Sequence, residues 1–203
     1  MIPESTKHKI AVDGRSSASV YVISAFGADA GHNSNAAVVY GDVVDGCLVR
    51  IHSRCMYSEV FASRECDCGW QLKRSRELLT ISGGVLIYLD QEGRGAGLQT
   101  KAEAYRLNHE DGLDTYEAYD KLGVQLDQRD YYEAAQILKD LGLSQVRLLT
   151  NNPGKIATLE EQGIQVKRIP LRAVPTPTTM AYLEAKKRHG HLLLPVARLR
   201  TVT

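Results

Sequence analysis

Tyr131-Tyr-Glu-Ala-Ala-Gln-Ile-Leu-Lys-Asp-Leu141, then Gln145-Val-Arg-Leu-Leu149, Pro153 to Gly163 and Ile164-Gln-Val-Lys-Arg-Ile169, is the run whose reading decides the fold. In its first segment Tyr131, Ala134, Ala135, Leu138 and Leu141 fall on one stripe at helical spacing, which marks a helix with a buried face. Gln145–Leu149 is a short strand. Pro153 suits the first position of a helix, where a missing N–H costs nothing, and Gly163 ends that helix. Ile164–Ile169 is a second strand. Helix, strand, helix, strand implies partly parallel pairing, because parallel strands need a crossover. The chain is therefore expected to be α/β (mixed α+β), a single domain with a mixed sheet flanked by helices.

Working upstream, Ala18–Phe26, Ala36–Tyr40 and Cys47–Ile51 read as three strands whose short spacing suggests antiparallel pairing, with a loop from Gly27 to Asn35. Gln71–Ile81 has helical spacing and stops at Gly83-Gly84, and Val85-Leu-Ile-Tyr-Leu89 is a short apolar run suited to a buried strand. Leu98 to Glu110 is helix-like up to Gly112, and Met180–Arg188 is a last helix. Residues 1–17 and 196–203 are expected to be flexible tails around a folded unit spanning 18–195.

With 203 residues, 43% hydrophobic and 24% charged, the composition is that of a globular protein with a proper core. No apolar run approaches the roughly 18 residues needed to cross a bilayer, and the N-terminus lacks a signal-peptide core. Four cysteines without such a signal fit a reducing compartment, so a cytoplasmic location is expected. The net charge of +1 hides an asymmetry: from Gln165 onward eight Lys/Arg stand against Glu184. A basic tail suggests phosphate on a nucleotide or nucleic acid, although Lys186-Lys187-Arg188 reads first as a solvated helix face.

The densest chemistry lies in Cys55-Met-Tyr-Ser-Glu-Val-Phe-Ala-Ser-Arg-Glu-Cys66-Asp-Cys68-Gly69. Thiolates are soft ligands for zinc, and three of them with a vacant fourth position describe a catalytic site rather than a structural one. The competing reading is three small buried apolar residues. Cys47 lies eight residues upstream of Cys55, outside the cluster. His52 could supply a fourth ligand. If the strand ran on to Cys55, however, alternation would put Val49, Ile51, Ser53 and Cys55 on one face and His52 on the other. His52 is therefore read as a polar neighbour of the site.

Three further stretches suit anions. Leu89-Asp-Gln-Glu-Gly-Arg-Gly-Ala-Gly-Leu98 joins a strand to a helix, with Gly93, Gly95 and Gly97 letting backbone N–H groups approach a phosphate and Arg94 adding a fork; it reads equally as a flexible turn. Thr150-Asn-Asn-Pro-Gly-Lys155 ends a strand in polar side chains and puts Lys155 in the first turn of a helix, or is simply an Asn-capped start. Asp127 fits an N-cap for the helix near Tyr131, which leaves Arg129 at a helix end that disfavours cations unless an anion docks there. Tyr105 is a candidate proton donor, although most tyrosines at helical spacing are packed.

Arg50-Ile-His-Ser-x-Cys55, Cys66-Asp-Cys68-Gly-x-Gln71, Gln91-Glu-Gly-Arg94, Asp127-x-Arg129-Asp130 and Leu149-Thr-Asn-Asn-Pro153 resemble the motifs of GTP cyclohydrolase II. The likeness runs from Ala37 to Leu193 and includes Tyr182-Leu-x-x-Lys186 and Gly190-His-Leu-Leu193. The dihydroxybutanone-phosphate synthase domain that some members carry in front is not seen. The resemblance implies removal of pyrophosphate from GTP, opening of the imidazole ring and expulsion of C8 as formate. The product would be 2,5-diamino-6-ribosylamino-4(3H)-pyrimidinone 5′-phosphate, the first intermediate of riboflavin synthesis. By the same resemblance Cys55, Cys66 and Cys68 would hold one Zn²⁺ per subunit. Arg129 would be the nucleophile on the α-phosphate with Asp127 as its base, and Tyr105 would serve ring opening. Arg50, Ile51, His52, Ser53, Arg54, Gln71, Glu92, Gly93, Arg94, Thr115, Thr150 and Lys155 would contact GTP. Mg²⁺ would serve the pyrophosphate, and the protein would be a homodimer with no nucleic-acid or membrane partner.

Two positions depart from the family pattern. Arg54 stands where the family usually has Glu, and Tyr57-Ser-Glu59 replaces a usual Thr-Gly-Asp while keeping a carboxylate. These changes leave room for a paralogue in specialised metabolism with another substrate or product, for instance a formylated pyrimidine. A different class, a zinc-stabilised nucleic-acid-binding module using the basic tail, would need a closed four-ligand site.

Overall fold

Among the described residues, one sheet of seven strands runs in the order β1 (His8–Val12), β2 (Ser16–Ser24), β3 (Ser34–Tyr40), β5 (Gly84–Leu89), β4 (Leu48–Ser53), β6 (Gln145–Leu149), β7 (Gln165–Ile169). The structure, a computed structural model, describes residues 7–12, 16–24, 34–171, 173 and 176–192. From β1 through β2 and β3 to β5 the pairing is antiparallel. From β5 through β4 and β6 to β7 it is parallel. The helices are α1 (Met56–Glu59), α2 (Cys68–Ser82), α3 (Gly97–Asp111), α4 (Thr115–Lys121), α5 (Tyr132–Asp140), α6 (Pro153–Glu161) and α7 (Pro177–Arg188).

The parallel half follows from local chemistry. Val49, Ile51, Val85 and Ile87 meet Ala134, Leu138 and Leu159 of α5 and α6 on one face of the sheet. Leu48 and Leu86 meet Leu79 of α2 on the other. Strands covered on both sides read as near-continuous apolar runs, which is why Val85–Leu89 shows no alternation. At Gly84 an added Cβ would lie 2.0 Å from the carbonyl oxygen of Leu48, so β4 and β5 approach there only because the residue is glycine. Ala104 and Leu107 of α3 pack on Ala118 and Tyr119 of α4 in a smaller core.

Three expectations change. Short spacing predicts that Cys47–Ile51 pairs antiparallel with its predecessors, but β4 lies beyond β5 and is parallel to both β5 and β6. The chain leaves β4, passes through α1 and α2, and returns beside it, a crossover that only parallel pairing allows. Residues 8–12, expected in a loose tail, form an edge strand instead. Their side chains are largely exposed, so the main-chain ladder carries them and no apolar pattern announces it. Finally, α4 is an unanticipated helix, although Asp114 and Glu117 form a reciprocal capping box at its start. Residues 27–33 of the expected loop and the tail 196–203 lie outside the described residues.

Candidate active site at the carboxyl ends of three parallel strands

β4, β5 and β6 run parallel and end on the same side, where α/β sheets gather their ligands. Ser53 to Cys55, Gln91 to Arg94 and Thr150 to Asn152 emerge there and line one cleft of about 1030 Å³, counted out to open solvent. Among the described residues its wall carries seven cations (Arg50, Arg54, Arg94, Lys101, Arg129, Lys155, Lys186) against one carboxylate, Glu92. Such a balance selects a polyanion.

At one end of the cleft the Sγ atoms of Cys55, Cys66 and Cys68 lie within 4.8 Å of one another. Cys55 and Cys66 are 3.7 Å apart. Tetrahedral zinc with bonds of roughly 2.3 Å requires neighbouring sulfurs roughly 3.8 Å apart, so the pair already has the spacing of a zinc edge. Cys68 is the first residue of α2, where the helix end favours a thiolate. Hydrogen bonds with the Cys55 and Cys66 thiols push its pKa well down, and hydrogen bonds with Cys55 and Cys68 push that of Cys66 up. No fourth ligating group joins the three among the described residues. The cluster fits an open zinc site.

His52 is not that ligand, for a reason other than strand alternation. The strand ends at Ser53, and both ring nitrogens are engaged. The Arg50 guanidinium lies 3.1 Å from Nδ1, so Nδ1 accepts and the proton sits on Nε2, which donates to Glu59 at 2.9 Å. Burial lowers the His52 pKa, and the imidazole stays neutral. Glu59 also accepts from the Tyr88 hydroxyl at 2.7 Å and from the backbone N–H of Cys55 at 2.7 Å. The retained carboxylate thus fixes the main chain of the first ligand. Asp67, between the other two cysteines, accepts from Gln71 and from Lys186 of α7, both at 2.6 Å. Lys186, in a run that reads as a solvated face, is instead a half-buried partner of the site, sharing a helix face with Tyr182, four residues earlier.

The other end of the cleft is cationic. Arg50, 4% exposed, donates to the carbonyl of Leu149 at 2.9 Å and to Gln71 at 2.7 Å; burial lowers its pKa to about 10. Lys155 donates to the carbonyl of Ile51 at 2.8 Å. Burial, with Arg50 and Arg129 nearby, drives its pKa well down. The Gly-rich turn is a 3₁₀ turn over Glu92–Gly95 in which Arg94 itself is left-handed, with φ 57°. That conformation costs a non-glycine residue roughly 1–2 kcal/mol and carries the guanidinium over the Tyr116 ring, 4.0 Å from its centre. At Gly95 a Cβ would stand 3.0 Å from the main chain of Gln128, whose N–H donates to the Arg94 carbonyl at 2.9 Å, so the turn is locked onto the loop holding Arg129.

Asp127 does not cap a helix. Tyr131 occupies the N-cap position of α5. The Asp127 carboxylate instead grips Arg129 through Nε at 2.8 Å and Nη2 at 2.5 Å. Burial opposes the Arg129 charge, but pairing with Asp127 outweighs it and raises the pKa. Arg54 donates to Asp90 at 2.9 Å, so the cation that replaces a usual Glu is neutralised within the chain.

Tyr105 faces the cleft from α3, its ring edge-on to Tyr57 at 4.8 Å. Burial first, then the thiols, raise its pKa and keep it a phenol. Of the residues singled out in the sequence, the cleft brings together Arg50, His52, Ser53, Arg54, Gln71, Glu92, Gly93, Arg94, Thr115, Thr150, Lys155, Tyr105, Arg129 and the three cysteines. Ile51 and Asp127 are not among its lining: the Ile51 side chain is in the core, and Asp127 stands behind Arg129. Lys101, Lys186 and His191 line it without having been singled out as site residues. The readable signal for Lys101 is its place one helical turn before Tyr105.

A family model described as GTP cyclohydrolase II matches residues 10–170. The chain is 50% identical over 162 residues to the riboflavin biosynthesis protein RibBA of Bacillus mycoides, covering 77% of this chain and 41% of that protein. RibBA of Chlorobium phaeovibrioides is 48% identical over 162 residues (77% and 39%), and that of Phocaeicola vulgatus 46% over 162 residues (77% and 40%). The chain thus spans about two fifths of the length of these relatives.

Proposed function

We propose that this chain, which belongs to the GTP cyclohydrolase II family, hydrolyses GTP to 2,5-diamino-6-ribosylamino-4(3H)-pyrimidinone 5′-phosphate, formate and pyrophosphate, the opening step of riboflavin synthesis. The observation that carries this reading is the joining, in one cleft, of a three-thiolate cluster open on one side to a wall of seven cations. Cys55, Cys66 and Cys68 would hold zinc, which would supply the Lewis acidity that hydrolysis at C8 of the purine needs.

The chain's own residues do the rest. Arg94, Arg129 and Lys155 bind the triphosphate, with Arg50, Ser53, Arg54, Thr115 and Thr150 completing the contacts. Burial and the neighbouring cations lower the Lys155 pKa, and an entering phosphate offsets that cost and favours its charged form. Arg129 engages the α-phosphate, and Asp127 orients it and is the group able to take its proton if a bond to phosphorus forms. Gln71 and His52 hold Arg50, while Glu92 and Gly93 shape the turn. Tyr105, held as a phenol beside the thiols, donates the proton for ring opening.

Mg²⁺ belongs to the same proposal; among the described residues Glu92 is the one carboxylate lining the cleft and is tied to Lys101, so the nucleotide's phosphates would supply the ion's ligands. So do a homodimer and a cytoplasmic location; no described helix is long and apolar enough to cross a membrane. The Arg54–Asp90 pair argues for the common reaction over an altered one, because it restores neutrality where the family's pattern is broken. A nucleic-acid module draws no support from a three-ligand cluster that opens into a cleft.

The test is turnover of GTP with Zn²⁺ and Mg²⁺, following formate and pyrophosphate separately and identifying the product by mass. Equal amounts of both with the diaminopyrimidine monophosphate are expected. Pyrophosphate without formate would move the reading to an enzyme that stops early, and no turnover of GTP would overturn it.

A further inference from the structure

We propose that Lys101 is a positioning residue for the thiolate cluster: its fixed positive charge holds Cys55 in place and balances the negative charge that zinc binding leaves there. The inference rests on the zinc reading above and goes beyond it by naming a residue outside the ligand set.

The geometry is specific. Lys101 is 7% exposed and reaches across from α3. Its Nζ lies 2.7 Å from Oε1 of Glu92 and 3.2 Å from Sγ of Cys55, with the Tyr57 ring centre 4.6 Å away. An ammonium has three donors, and here they find a carboxylate, a sulfur and a ring face. Glu92 is fixed in turn by the N–H of Met56 on Oε2 at 2.6 Å and its own neighbour Gly93 on Oε1 at 3.1 Å. One side chain therefore couples the residue after the first ligand, the ligand's sulfur and the phosphate-side turn.

Charge requires such a group. Three thiolates around a doubly charged ion leave one net negative charge, and the buried Glu92 adds another beside it. Lys101 is the cation touching both. A lysine whose sole task was to neutralise Glu92 would not need to reach the sulfur as well.

The experiment measures zinc affinity of the full chain by competition with a chromophoric chelator. Lys101→Gln, which keeps a donor for Glu92 but loses the charge, is expected to weaken zinc binding about 10- to 100-fold, the usual cost of losing a partner of a metal ligand. Lys101→Arg is expected to recover most of it. In the same Gln variant formate should fall relative to pyrophosphate, since the change lies at the thiolate end. The double variant Lys101→Met/Glu92→Gln separates the alternatives, because it removes the buried pair together. Affinity that stays low supports the inference; affinity restored to the wild-type value means that Lys101 merely neutralised Glu92 and overturns it. Wild-type zinc affinity in Lys101→Gln also overturns it. A wild-type protein that holds no zinc overturns the proposed function as well, and the two failures are distinct.

Discussion

The two ends of the cleft handle charge in opposite ways. Around the thiolates the ionic groups are answered from within the chain: Glu59 takes three donors, Asp67 takes Gln71 and Lys186, and Lys101 joins Glu92 to Cys55. At the cationic end Arg50 and Lys155 donate to main-chain carbonyls, and Arg94 lies over a ring. Arg129 has a carboxylate there, but one that stands outside the cleft lining. A resident ion needs its ligands positioned beforehand, because a loose shell loses affinity. A visiting polyanion brings its own countercharge, and cations left short of carboxylates stay available for it.

The sharpest way to break this comparison is to disable each end separately. Cys66→Ser should lower formate release about a thousandfold or more by removing a zinc ligand, yet leave pyrophosphate release measurable. Arg129→Ala should lower both, pyrophosphate by about 10²–10³-fold, as for loss of one strong transition-state donor. Equal loss of both products in Cys66→Ser would mean that the two ends do not work independently.

Lys155→Met should weaken GTP binding about tenfold to a hundredfold, because a charge-assisted hydrogen bond is worth roughly 1.5–3 kcal/mol; titration calorimetry reads this directly. It should also leave the nucleotide-free melting temperature equal or higher, since a buried lysine with a lowered pKa is a cost to the fold. The sign follows from proton counting. With the folded value below the ordinary one, the unfolded chain binds more protons, so wild-type stability rises as pH climbs toward the ordinary lysine value. The Met variant should show a shallower rise.

The smallest effect is expected at Glu59. Its three donors hold its pKa down against burial: the His52 Nε2–H, the Tyr88 hydroxyl and the Cys55 N–H. Glu59→Gln should cost about 1–3 kcal/mol in denaturant unfolding at neutral pH. A group with a lowered folded pKa contributes above its ordinary value and loses that contribution as pH falls through the folded one. The gap between wild type and variant should therefore close in acid. A gap independent of pH would remove Glu59 from its place as an ionised clamp.

Much of this is legible without coordinates. The α5–β6–α6–β7 run lies where its periodicity puts it, and α6 begins at Pro153 with Asn152 capping it. The cysteine spacing leads to a real cluster. What is not legible involves competition between partners, or partners far along the chain. Asp127 reads as a cap because Asp before a helix usually caps it, but the nearby Arg129 outcompetes the helix N–H groups for its carboxylate. Lys186 reads as solvated because three successive cations usually are, and only Asp67, 119 residues away, gives it a buried partner.

The sequence by itself determined the α5–β6–α6–β7 run with its parallel pairing and the closeness of the three candidate ligands, because helical periods, proline positions and close thiol spacings act within a few residues. Tertiary structure decided that β4 lies between β5 and β6, that His52 is held by Arg50 and Glu59, and that Lys101 reaches Cys55. These depend on which side chain burial brings opposite which, and a buried charge takes whatever partner the packed strands and helices put within reach.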